Sequence, residues 1–111
     1  HFIIDKDGTI VQTANLNNRT QHTMNGGSQV YPQYRGIVTS RNTIGIEFVG
    51  AHSKTQEGVW EPVTAAQVES AQYLLRKLNH SYNAPKIYTH EQLQSSKKPN
   101  EGGDVLRAIQ N

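Results

Sequence analysis

The chain contains no cysteine, which excludes disulfides, thiolate nucleophiles and every zinc site that needs a sulfur ligand. Any metal it holds is therefore bound by histidine and carboxylate. Long apolar runs are missing too. No window approaches the roughly 20 consecutive apolar residues that cross a bilayer, and no charged, then apolar, then small-residue leader opens the sequence. An excess of one charge is also lacking: Lys and Arg total 11 against 9 Asp and Glu, and a formal net charge of +2 is too small for a nucleic-acid surface. Hydrophobic residues make up only 34% of 111 positions, so a single domain over residues 1–111 with a small core is expected. Against these absences, the informative count is histidine, at 5 positions.

The local pattern predicts a hairpin first: Phe2-Ile3-Ile4, a turn at Asp5-Lys6-Asp7-Gly8, then Thr9-Ile10-Val11. Because the chain opens at His1 with a strand already under way, a preceding segment of the same domain is expected. Residues 13–40 are polar, with Gly26-Gly27 and Pro32, and read as a long loop of the kind that lines a site. Residues 43–49 alternate as a strand, with Ile44, Ile46 and Phe48 on one face and Glu47 on the other. Thr64 and Gln67 form a Thr-x-x-Gln capping box. The helix it starts carries Val68, Ala71, Leu74, Leu75 and Leu78 as its apolar stripe, until Asn79, Asn83 and Pro85 end it. Ile87-Tyr88-Thr89 is expected to be a short strand delivering His90 to its end, and Val105, Leu106 and Ile109 a closing helix capped by Asp104.

Several of these positions carry groups suited to chemistry. A histidine at a strand end, such as His90, can aim its imidazole into a cleft, although a surface histidine is the ordinary alternative. Glu47 interrupts an apolar strand, so it must be solvated in a groove or paired; it suits a general base, with a structural ion pair as the ordinary alternative. Lys97, Lys98, Glu101 and Asp104 form a mixed-charge loop after His90, by default solvated surface. His22 and His52 lie beside the predicted strands and could border the same cleft, whereas His80 sits where a helix C-terminus favours positive charge.

Three segments in order, His1-Phe2-Ile3-Ile4-Asp5-Lys6-Asp7-Gly8-Thr9-Ile10, Asn42-Thr43-Ile44-Gly45-Ile46-Glu47-Phe48-Val49-Gly50 and Tyr88-Thr89-His90, resemble the zinc-dependent N-acetylmuramoyl-L-alanine amidases of the second amidase type. Peptidoglycan-recognition proteins and phage amidase lysozymes share that fold. The likeness runs over nearly the whole chain. It implies an α/β fold of mixed α+β type, with a central mixed sheet flanked by helices, and a Zn2+ ion in a groove that takes peptidoglycan as its partner. The implied reaction is hydrolysis of the amide between N-acetylmuramic acid and L-alanine by a monomer at a secreted or cell-wall location, the last inferred from the substrate alone.

By the same resemblance, Glu47 is the catalytic acid–base, Lys98 stabilises the oxyanion and His90 is the second zinc histidine. His22, which resembles the histidine of a Trp-His-Ala-Gly stretch although Gln21 and Thr23 flank it here, and Asn42 are implied on the substrate side. The sequence departs from the family at two points. The family's first zinc histidine lies before the His-Phe-Ile-Ile segment, where this chain begins, and its Cys or Asp third ligand falls among Lys98, Pro99 and Asn100. Glu101 is the expected substitute ligand, with Asp104 behind it, since carboxylate oxygen is an acceptable zinc donor. These departures also support a rival reading, a non-catalytic peptidoglycan-binding module with a degenerate metal site.

Overall fold

The computed structural model describes residues 1–18, 20, 30–35, 37–40, 42–82, 86–93, 97 and 100–110. In chain order its elements are β1 (Phe2–Ile4), β2 (Ile10–Gln12), β3 (Ile46–Phe48), α1 (Ala65–Tyr82), α2 (His90–Leu93) and α3 (Gly103–Gln110). This is the expected mixed fold with a mixed sheet. The strands form one sheet in the order β2-β1-β3. β1 is central, antiparallel to β2 through the hairpin and parallel to β3.

The predicted hairpin forms because its turn residues satisfy their own backbone. Asp5 O accepts from Gly8 N at 2.9 Å, and the Asp7 carboxylate accepts from Thr9 N at 2.8 Å. Those Thr9 hydrogen bonds hold the Asp7 carboxyl below its usual value. Gly8 stands at φ 89°, and a Cβ there would come within 3.0 Å of Ala66 O, so conformation and close approach to α1 both require glycine.

Register then sorts the sheet into two faces. Phe2 and Ile4 on β1, with Ile46 and Phe48 on β3 and Ile10 on β2, turn toward α1 and join a core with Ala71, Leu74 and Leu78. The intervening residues Ile3, Val11 and Glu47 pair in register on the opposite face. There Val11 is 46% exposed and Glu47 is exposed as well. The strand at 43–49 is thus real in phase, although regular pairing covers only Ile46–Phe48.

The capping box at the start of α1 forms in full: Gln67 N donates to Thr64 Oγ1 and Thr64 N donates to Gln67 Oε1, both at 3.0 Å. Gln67 is also the most buried residue of the helix with Ala71, each 1% exposed. Its Nε2 donates to Ile4 O at 3.1 Å and to Val49 O at 3.0 Å, tying the helix to the ends of β1 and β3. The buried stripe therefore runs Gln67, Ala71, Leu74, Leu78, while Val68 and Leu75 lie half-buried beside it. The helix continues through Asn79 to Tyr82, and Asn83 and Pro85 lie outside the described residues. α3 packs on α1, with Ile109 against the core and Gln72 Nε2 donating to Ile109 O at 3.0 Å.

Two local expectations are corrected. Residues 87–89 form no strand; Thr89 instead caps α2, whose first residue is His90. Gln92 N donates to Thr89 Oγ1 at 3.2 Å and Thr89 N to Gln92 Oε1 at 3.4 Å, a second Thr-x-x-Gln box that outcompetes extended structure. Asp104 does not cap α3, because the helix already includes Gly103. Gly102, at φ 89°, precedes the helix and its carbonyl accepts from Leu106 N at 3.0 Å, while Asp104 pairs with Arg107 one turn on. Within 13–40, the described residues fold as successive turns, and Val30, Val38 and Ser40 are buried in them.

Candidate active site

α2 and the turn before α3 bring together two of the residues singled out in the sequence. His90 opens α2, and Glu101 stands in the turn just before α3. His90 Nδ1 lies 3.2 Å from Glu101 Oε2, both side chains being about one-third to one-quarter exposed, 34% and 26%. Backbone hydrogen bonding holds the pair in place, with Glu91 N donating to Glu101 O at 3.3 Å. The carboxylate of Glu91 accepts from Asn100 N, which ties the same turn a second time. Asp104, the reserve ligand, is occupied by Arg107.

The pair has the chemistry of half a zinc site. Imidazole nitrogen and carboxylate oxygen are both zinc donors, and two donors on one tetrahedral ion at about 2.0–2.1 Å each stand about 3.3 Å apart. The observed 3.2 Å fits that separation. Among the described residues, however, no group of three or more His, Cys, Asp or Glu side chains could hold a metal ion.

Glu47 occupies the middle of β3, paired with Ile3 of β1. The strand's alternation turns its carboxylate away from the core into solvent, resolving the choice between a groove and a buried pair in favour of solvation. Asn42, immediately before the strand segment, is exposed and works within its own loop. Its Oδ1 accepts from Thr39 N at 2.9 Å and its Nδ2 donates to Ile37 O at 2.6 Å. His22 and Lys98 lie outside the described residues.

The remaining histidines divide by partner. His52 Nε2 accepts from Gly58 N at 2.9 Å while Nδ1 contacts Ser53 O at 2.7 Å, and its ring meets Trp60 edge-on at 4.8 Å. This ring braces the 52–60 segment. His80 lies on the outer face of α1 in a shallow concavity with Tyr73, Arg76 and Lys77. His1, to which the sequence pattern assigns no role, is the buried one. Its Nδ1 accepts from Gly45 N at 3.1 Å and its Nε2 contacts Asn18 O at 2.7 Å, so the neutral tautomer protonated at Nε2 joins β1 to the approach of β3. The signal that could have found it is its place directly before Phe2 on a central strand.

Comparison with known proteins adds one positive finding. A family model described as N-acetylmuramoyl-L-alanine amidase matches residues 1–103. Comparisons with curated proteins and with solved structures give no match.

Proposed function

We propose, from the premise that this chain belongs to the N-acetylmuramoyl-L-alanine amidase family, that it hydrolyses the amide between N-acetylmuramic acid and L-alanine in peptidoglycan and that it does so with zinc. The observation carrying this reading is the 3.2 Å contact between His90 Nδ1 and Glu101 Oε2, which sets two suitable donors at a tetrahedral ion's spacing. His90 and Glu101 are the residues that would hold the ion, together with a ligand outside the described residues. When bound, zinc supplies a Lewis acid for the scissile carbonyl and a water acidified toward a pKa of ~7.

The chain's own residues account for proton movement and binding. Glu47, a solvated carboxylate on a strand rather than a flexible loop, takes the proton of the attacking water and returns it to the leaving amine. Lys98 is assigned to the developing oxyanion by its match to the family's lysine, and His22 and Asn42 to the substrate side. The peptidoglycan substrate alone places the protein at a secreted or wall-associated location in this reading, which takes it as a monomer.

The experiment is peptide release from purified cell wall by the zinc-loaded chain, with and without a chelator. Release that the chelator abolishes is expected; no release from the loaded protein would sink the proposal. A second reading, a non-catalytic peptidoglycan binder, is favoured by one observation, that the described residues assemble two metal donors rather than three. It predicts cell-wall binding that is indifferent to zinc.

A further inference from the structure

Glu91, adjacent to the candidate ligand His90, belongs to none of the roles assigned so far, yet it meets the Glu101 turn at several points. Its carboxylate Oε2 accepts from Asn100 N, and its backbone N donates to Glu101 O at 3.3 Å. Its other oxygen, Oε1, lies over the first residue of α3, so close that a Cβ on Gly103 would collide with it. The first amide of that helix is already used, Gly103 N donating to Asn100 O at 3.1 Å, so the same turn is closed from both sides. One side chain thus holds the residue before Glu101 by a hydrogen bond and lies against the first residue of the helix after it.

Asn100 makes that grip specific. Its φ of 61° is left-handed, a conformation that Asn tolerates better than other residues with a side chain. Its Nδ2 donates to Gly58 O at 2.9 Å and its Oδ1 accepts from Arg107 at 3.3 Å. Asn100 is therefore anchored by its side chain to the 52–60 segment and to α3, and by its backbone amide, through Glu91, to α2. Loss of the Glu91 carboxylate would leave the long Glu91 N to Glu101 O bond to hold the turn's backbone against α2.

We propose that Glu91 is a positioning residue for the His90–Glu101 pair: by holding the Asn100 amide, its carboxylate sets the distance between the two metal donors. The inference rests on the zinc reading above and deepens it. Partners that orient metal ligands in this way commonly change metal affinity by about 10- to 100-fold when lost.

The test has two readouts, made on the same proteins. Zinc affinity is measured by competition with a chromophoric chelator for the unchanged chain, Glu91→Gln, Glu91→Ala and Glu101→Gln. In parallel, the imidazole nitrogen shifts of His90 are recorded by NMR on the metal-free proteins at one fixed pH. Glu91→Ala is expected to weaken zinc about 10- to 100-fold and to move the His90 Nδ1 signal toward its position in Glu101→Gln. Glu91→Gln retains an acceptor oxygen and should fall between, which also supplies a folded variant if the alanine protein is not folded. A merely structural role predicts lower Tm with zinc affinity and His90 shifts unchanged below the transition, and that result overturns the proposal. If the unchanged chain binds no zinc, the zinc reading fails separately, and the His90 shift alone decides whether Glu91 positions the pair.

Discussion

Replacing Gln67 with glutamate is the sharpest probe of how α1 is joined to the sheet, because glutamate satisfies the capping pattern as well as glutamine does. The carboxylate of the Gln67→Glu variant could still accept from Thr64 N, so local helix rules predict no loss. The tertiary contacts predict otherwise. Gln67 is 1% exposed and its Nε2 donates to two carbonyls, Ile4 O and Val49 O, at 3.1 and 3.0 Å. An ionised carboxylate there would face two oxygens, so the folded state must keep the group neutral. Holding a carboxyl of ordinary pKa ~4.3 neutral at pH 7 costs about 4 kcal/mol, and the one donor bond that a neutral carboxyl cannot replace costs about 1 kcal/mol more. Gln67→Ala, which forfeits the same bonds without a charge, should lose about 3 kcal/mol.

The sign with pH follows from the raised folded pKa. In the unfolded variant the new carboxyl ionises near pH ~4.3 while in the folded one it does not, so the penalty is small below that value and grows by about 1.4 kcal/mol per pH unit above it. Urea unfolding of Gln67→Glu and the unchanged protein at pH 5 and pH 7 checks this. The stability gap should widen by about 3 kcal/mol between the two pH values. A glutamate variant as stable as the parent at pH 7 would refute the reasoning, and would reduce Gln67 to a helix cap alone.

Three further outcomes are expected. Glu47→Gln should lower peptide release from cell wall by about 10²- to 10⁴-fold while leaving zinc content unchanged, since the carboxylate handles protons and does not ligate; an unaltered rate would remove it from the mechanism. Gly102→Ala should cost about 1–2 kcal/mol in thermal or urea unfolding, because φ is 89° and the new methyl would stand 3.1 Å from Thr89 Cβ. Glu61 lies below its usual value of 4.5, held there first by the Lys6 hydrogen bond at 2.6 Å and then by the Ala51 amide. Its contribution is therefore present above that value and lost as pH falls through the depressed one, so parent and Glu61→Gln should converge in Tm in acid.

How far the sequence was legible depended on whether the deciding partner was near in the chain. The hairpin and the α1 cap were readable because Asp5 with Gly8 and Thr64 with Gln67 are each three residues apart. Gln67 was readable as a cap but not as the link to Ile4 O, since that contact spans 63 residues. The error at 87–89 is different in kind. Thr89 and Gln92 repeat the pattern recognised at Thr64 and Gln67, but the apolar Ile87-Tyr88 pair outweighed it in the reading of the sequence. At the site, the resemblance pointed to His90 alone and Glu101 was the substitute read from the carboxylates that follow it; the two side chains lie side by side, whereas Glu91 was invisible because its contact is with a backbone amide at Asn100.

The alternation that exposes Glu47 has a consequence for how reliably the sheet assembles. A strand only three residues long, held parallel to β1, has little backbone pairing to distinguish one alignment from the next. Shifting β3 by a single residue would turn Glu47 inward among Ala71, Leu74 and Leu78 and turn Ile46 and Phe48 out to water. Burying that carboxylate without a partner costs several kcal/mol, well beyond what a short ladder can recover. The side chain proposed to move protons is thereby also the one that forbids the neighbouring alignment, so a chain that has paired its strands wrongly is selected against by the residue on which its chemistry depends.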